Sequence, residues 1–334
     1  MAKLERIRGS QPLVANFGYE NGGEVSNGFD SKYPFNGIKE VADERGNIWV
    51  QIPKFYRVIN VEDGVVKGRE LSEYKVNDNW LLNHAFTNNA GLPVNYVEIA
   101  KYQMSLDANG CAQSVAGVYP SRGLSLADAR AAVSKLNQLN DGYEYFLANI
   151  WTAQILQDLF TVEYANSSST EVMSGWPSYY SQGYHPTGYT DSIPYHSGIR
   201  NETDNVNKSS SMKYRYMENI YGNGQEVMDC LYYEGSKVIV DINGEEYEST
   251  LTRISTSGKT HQLGYDKNLD LTLPIAENDN GSYGDYVIGG NEPKRSVAYR
   301  GRRTTDGYGL FSYNAITIDN TNDNGTYRIA RRLK

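Results

Sequence analysis

The sequence predicts an α+β domain in which two helices stand early among many short antiparallel strands. Apolar residues recur at helical spacing in two segments, near 125–136 and 150–165. Short alternating or β-branched pieces bounded by Gly, Asn and Pro fill much of the remainder. The two kinds of element do not alternate as the strands and helices of a doubly wound sheet would.

Residues 1–35 are rich in Gly, Asn and Ser, show little periodicity, and read as an arm or attachment segment preceding a domain over 36–334. From Gly46 to Arg57 (GNIWVQIPKFYR) apolar residues alternate, as in a half-buried strand. Tyr96 to Met104 (YVEIAKYQM) follows a similar order of aromatic, Val, acid or amide, Ile and Lys, so the two pieces either pair or occupy equivalent places. Ser125 then opens a helix to Leu136: Asp128 stands three residues on, and Leu126, Ala129, Val133 and Leu136 share a face. A second helix is expected from Ile150 to Ala165, with Trp151, Ile155, Leu159 and Val162 as its core stripe. Residues 166–212, dominated by Ser, Tyr, Gly, Pro and Asn, read as loop. Gly235 to Tyr286 returns to strands, with Lys237–Ile242 meeting Glu245–Leu251 across Asn243-Gly244, the strongest short hairpin signal.

The C-terminal segment, about 295–334, carries the functional expectation. Glycines at Gly301, Gly307 and Gly309 punctuate short apolar pieces, and Tyr, Arg, Thr, Asp, Ser and Asn stand between them. That palette gives large amphipathic contacts at low entropic cost, as in antibody paratopes.

Whole-chain numbers narrow the function classes. With 334 residues, 39% of them apolar, the chain can bury a real core. A net charge of −8 and the absence of a basic run before Arg331-Arg332-Leu333-Lys334 argue against nucleic acid as a partner. The N-terminus lacks the apolar stretch of a signal peptide, and no run reaches the roughly 20 residues of a membrane span, so synthesis in a cytoplasm without membrane insertion is expected. Cys111 and Cys230 are too few for a disulfide framework and lack metal-ligand spacing. The 28 Tyr point to many rings that tolerate water at one end, although Tyr also favours strands.

Catalytic constellations are sparse. No Gly-x-Ser-x-Gly elbow occurs, and His84, His185, His196 and His261 show no i,i+3 or i,i+4 pairing. His185 and His196 read as surface hydrogen-bonders. Glu277–Gly281 and Asp319–Asn324 offer oxygen ligands that Ca²⁺ accepts but no complete EF-type loop, so they read as solvated turns and no cofactor is expected.

Together these segments resemble the formylglycine-generating-enzyme-like branch of the C-type lectin fold, especially the tail-tip and variable proteins of phages that carry diversity-generating retroelements. Over about 33–334 the order matches: a strand with IPKF at 52–55, a strand ending in Lys101-Tyr102, a capped helix, and a helix that contains Trp151 and ends in Glu163-Tyr164-Ala165. Glu218-Asn219 and Gly222-Asn223 follow, then Gly301-Arg302, Gly309-Leu310-Phe311 and Gly325 to Arg328. Arg302 replaces the family's second glycine, Thr304 falls near its usual Trp, and Gln225-Glu226-Val227 lacks the Trp residues of its Asn-Val-Trp-Glu-Trp motif.

The resemblance implies a C-type lectin fold and a non-enzymatic receptor-binding protein of a phage tail. The ligand would be a bacterial surface protein or glycan, other virion tail proteins would be partners, and the assembly would be a homotrimer. Tyr299, Arg303, Thr304, Asp306, Tyr308, Ser312, Tyr313, Ile316 and Asp319 would be the ligand-binding residues, diversifiable by adenine-directed mutagenesis. Gly222, Asn223, Glu226, Gly301, Leu310, Phe311 and Arg328 would be the frame, with Glu226 and Asp229 satisfying buried backbone donors. The alternatives are a structural baseplate or fibre component, or an enzyme of the formylglycine-generating-enzyme fold. The copper-dependent form of such an enzyme needs a Cys pair near the C-terminal core, and no Cys follows Cys230.

Overall fold

A computed structural model of the chain describes residues 28–334 apart from 165–168, 177–182, 201–210, 279–284, 291–293, 301–308 and 319–324. The architecture is α+β and strand-rich, with two long helices set among mostly antiparallel sheets.

Helix α1, Leu126–Asn137, begins where the sequence places it. Ser125 Oγ accepts from the Asp128 amide at 3.1 Å, and the Asp128 carboxylate accepts from the Ser125 amide at 3.4 Å. Its apolar face, Leu126, Ala129, Val133 and Leu136, is buried in a cluster with Trp49, Leu147 and Ile329. Tyr143–Leu147, against which α1 packs, forms the edge of a five-stranded sheet in the order Lys39–Ala42, Ile48–Pro53, Tyr96–Ala100, Ile329–Leu333, Tyr143–Leu147. The two pieces with matching sequence order do pair antiparallel, with Trp49 opposite Ala100 and Pro53 opposite Tyr96. The last strand of the chain lies between strands formed far earlier, so the C-terminus is threaded through the fold.

Two six-stranded sheets complete the main framework. One carries the expected hairpin, Lys237–Ile242 and Glu245–Thr252, with Asn243 and Gly244 both at positive φ in the turn. It continues through Gln225–Glu234, Ser296–Arg300 and Asn314–Thr317. Gly325–Thr326 adds a short parallel pairing to Gln225 and Glu226. The other contains Tyr56–Glu62, Val65–Ser72, Gly258–Asp266 and Leu271–Asn278.

Helix α2, Ile150–Tyr164, departs from the expected one-sided stripe, because all of its residues are buried. Sheets and loops surround it, so its polar residues require internal partners. Asp158 is gripped by Arg57, at 2.5 Å, and by Arg69 from adjacent strands. Glu163 is held bidentately by Arg215.

The N-terminal boundary also moves. Phe29 and Phe35 are buried in the larger apolar cluster and Asp30 pairs with Arg215 at 2.7 Å, so residues 28–35 belong to the domain and not to an arm ending at 35. Within the expected loop 166–212, the described residues include a helical turn at Ser169–Val172 and a short strand at Gly198–Ile199.

Candidate functional site

The described part of the C-terminal segment is a set of buried anchors. Arg328 is fully enclosed and uses all of its donors: Nε bonds Glu226 Oε2 at 3.0 Å, Nη1 bonds the carbonyls of Ala100 and Lys101, and Nη2 bonds those of Glu218 and Asn219. Arg300 approaches the same carboxylate from the neighbouring strand, with Nη2 2.8 Å from Glu226 Oε1. Glu226 therefore sits between two guanidinium groups. Burial alone would raise its pKa, but Arg328 and Arg300 overcome that and hold the carboxyl below the ordinary range.

A second anchor holds the chain at Gly309–Phe311. Phe311 donates its amide to Asp285 Oδ2 at 2.9 Å, Ser169 Oγ donates to the same oxygen at 2.8 Å, and Ser169 Oγ accepts from the Leu310 amide. Burial pushes the Asp285 carboxyl up to about 7, against the pull of the Phe311 and Ser169 donors. Gly309 is required there. A Cβ would stand 2.0 Å from Ser169 Oγ and 2.5 Å from Asp285 Oδ1. Gln157 of α2 completes the anchor by donating to the Leu310 carbonyl at 3.1 Å and to Tyr313 Oη at 2.7 Å.

These anchors correct part of the expected contact face. Tyr299, Ser312 and Tyr313 are 6%, 1% and 4% exposed, so they point inward and form part of the frame. Each hydroxyl has an internal role: Tyr299 Oη accepts from Asn314, Ser312 Oγ accepts from the Gly309 amide, and Tyr313 Oη accepts from Gln157. Ile316 is half-buried. Arg303, Thr304, Asp306, Tyr308 and Asp319 lie outside the described residues, as does Gly301.

Leu310 and Phe311 are fully buried. Gly222 adopts φ +83°, and a Cβ on it would meet the Trp176 backbone at 2.7 Å. Asn223, also at positive φ, brackets the His185 backbone by accepting from its amide and donating to its carbonyl.

Several polar residues have partners other than those expected. Glu226 and Asp229 are satisfied chiefly by guanidinium groups, since Arg130 clamps Asp229 at 2.9 and 2.6 Å. His185 is half-buried: its Nδ1 shares a hydrogen bond with Ser211 Oγ at 3.0 Å, and its ring is stacked between Trp176 and Tyr189 at 3.9 and 3.8 Å. His196 is buried against Ser197 and Asp30. The Arg57–Asp158–Arg69 cluster and Asp285 escaped sequence reasoning altogether. The Asp158 position on an apolar helix face, three residues after Ile155, was the one available signal.

Among the described residues no group of three or more His, Cys, Asp or Glu side chains is placed to hold a metal ion. Residues 279–281 and 319–324 of the acidic stretches considered for Ca²⁺ lie outside the described residues. No described helix is long and apolar enough to cross a membrane.

No family model matches the chain, and no curated protein does. Among solved structures, that of PvdO from Pseudomonas aeruginosa is similar at 12% identity, over 88% of this chain and 98% of that chain, with a TM-score of 0.34. A likeness of that size carries no argument about this chain's fold family or its chemistry.

Proposed function

We propose that this chain is a non-enzymatic receptor-binding protein of a phage tail tip, whose C-type-lectin-like domain of the formylglycine-generating-enzyme type presents its C-terminal segment to a bacterial surface protein or glycan. One observation supports the reading most directly. The described residues of that segment are largely frame, and they bracket two polar stretches, 301–308 and 319–324. The first is fixed before Gly301 by Arg300 on Glu226 and after Tyr308 by Leu310 and Phe311 on Ser169 and Asp285. The second ends where Gly325 and Thr326 pair with the central strand and Arg328 reaches Glu226.

The contact role therefore narrows to Arg303, Thr304, Asp306, Tyr308 and Asp319, with Ile316 beside them. Exchange of residues within such brackets while the anchors keep their places is what a diversifiable recognition surface needs. Tyr308 and Arg303 are of the residue types that dominate binding hot spots. Several copies per virion, as in a homotrimer among other tail proteins, add avidity.

The test is to graft residues 301–308 and 319–324 from a sibling variant and measure adsorption to a bacterial panel. The panel bound should change while the melting temperature stays within a few degrees. An unchanged panel would refute recognition by these stretches and favour a structural virion component.

A further inference from the structure

A cavity of about 480 Å³ opens elsewhere on the domain, and none of the described residues of 295–318 lines it. Its volume lies in the roughly 300–1,000 Å³ range of small-molecule sites. Its wall converges from distant parts of the chain: the turn His84–Phe86, the strand Tyr143–Leu147, the start of α2, the Cys230 bulge, the Asn243-Gly244 hairpin tip and Arg332. Cys230 is held at φ +64° where the Gln225–Glu234 strand shifts register, a conformation that non-glycine residues rarely adopt.

Two features of the wall define its chemistry. The first is charge. Arg332 forms a bidentate pair with Glu144 at 3.0 and 3.2 Å, which leaves the Asp241 carboxylate as the uncompensated charge of the lining. Burial lowers the His84 imidazole below its ordinary range; Asp270 opposes this, while Arg57 and Arg332 add to it, so the ring is neutral near pH 7. The α2 start offers no anion site either, because Asn149 Oδ1 already accepts from the Trp151 and Thr152 amides at 3.1 Å. An anionic ligand is disfavoured.

The second feature is a surplus of polar atoms. Among the described residues, Trp151 Nε1, Asn149 Nδ2, the His84 ring nitrogens and Asp241 Oδ2 have no protein hydrogen-bond partner, and none is sealed in the interior. Residues bearing donors and acceptors thus line one space together with Phe146 and Ile242. An apolar occupant would leave those groups unpaired, whereas hydroxyl groups both donate and accept.

We propose that this cavity binds a neutral saccharide of one or two rings, with hydroxyls paired to Asp241, Asn149, His84 and the Trp151 indole N–H and the C–H face laid against Phe146. The proposal rests on the cavity alone and is independent of the role given to 301–308 and 319–324.

The experiment is to follow the Trp151 indole N–H resonance, assigned with Trp151→Phe, while titrating the intact chain with neutral hexoses, N-acetylhexosamines and their disaccharides, and with a uronic acid as anionic control. At least one neutral sugar should shift that resonance saturably, and the uronic acid should not. Asp241→Asn keeps the oxygen that accepts from the Gly244 amide, and should weaken binding about tenfold through loss of a charge-assisted bond. Thr87→Tyr, which adds a ring at the cavity wall without changing charge, should weaken binding at least tenfold. The proposal is overturned if no neutral sugar shifts the resonance, if the uronic acid binds equally well, or if Thr87→Tyr leaves affinity unchanged. Should Asp241→Asn melt early, the Thr87→Tyr result decides.

Discussion

Replacing Glu226 with Ala removes the one carboxylate that bridges Arg300 and Arg328. Both guanidinium groups are buried, and Arg328 also fixes four backbone carbonyls from two other parts of the chain. Breaking a buried ion pair by deleting one partner costs about 3–5 kcal/mol, because the charge left behind has lost its compensation. Against a typical total of about 5–15 kcal/mol that is a large fraction. For a chain of 334 residues, an unfolding entropy of about 2.1 cal/mol/K per residue gives about 0.7 kcal/mol/K, so the expected drop in melting temperature is about 4–7 °C. Glu226→Gln keeps the shape and one acceptor but removes the charge, and should fall between wild type and Glu226→Ala.

Acid provides the sharper assay. The folded-state pKa of Glu226 is depressed, so the unfolded chain binds the proton more readily. The stabilisation is complete above the ordinary carboxyl value of about 4.3 and is lost as pH falls through the lower folded value. Calorimetric melts of wild type and Glu226→Gln should therefore differ most at pH 7 and converge toward pH 3. Equal melting temperatures at pH 7, or a gap that does not close in acid, would refute the account of Glu226 as an ionised bridge.

Asp285 should show the opposite pH sign: its folded pKa, about 7, exceeds the ordinary carboxyl value of 3.8, so wild type should gain stability relative to Asp285→Asn as pH falls from 8 to 5, as read by urea midpoints. Asp158→Ala leaves Arg57 and Arg69 facing each other in the interior and should lower unfolding free energy by about 3–5 kcal/mol in urea titrations. A loss below about 1 kcal/mol would mean that Asp270 alone suffices for Arg57. Gly309→Ala should destabilise more than Gly244→Ala, because its Cβ collides with Ser169 and Asp285, whereas Gly244 has open space around it and incurs only the strain of φ +87°, about 1 kcal/mol. Comparable thermal shifts would mean that Ser169 can swing aside.

What the sequence made legible was local. The α1 capping box, the Asn243-Gly244 hairpin and the pairing of residues 48–53 with 96–100 each rest on signals within a few neighbouring residues or on matched patterns. What it concealed was the ionic interior, because its partners stand about a hundred positions apart: Arg57 and Asp158 are separated by 101, Glu226 and Arg328 by 102. A lone Asp on a helix reads as a solvated residue until two strands bring arginines over it.

The same mechanism explains why Tyr299, Ser312 and Tyr313 read as contact residues. A phenol or a hydroxyl is amphipathic, so its appearance between glycines does not reveal whether its polar end meets water or a buried amide. Gln157 decides the matter for Tyr313, and that amide belongs to a helix 156 positions earlier. The C-terminal segment thus combines two demands in one run of similar residues. Its bracketing positions must keep Glu226, Asp285 and Gln157 satisfied, since a buried group left without its partner costs about 1–3 kcal/mol even before any charge is counted. The positions between the brackets bear no such described obligation, and this difference is where tolerance to substitution should divide. A substitution scan of 295–328 read for stability should therefore fall into blocks, with sharp losses at 299–300, 309–314 and 325–328 and small ones at 302–308 and 319–324. Uniform sensitivity across the segment would mean that the polar stretches are themselves structural, and the receptor-contact role would have to be sought on another face.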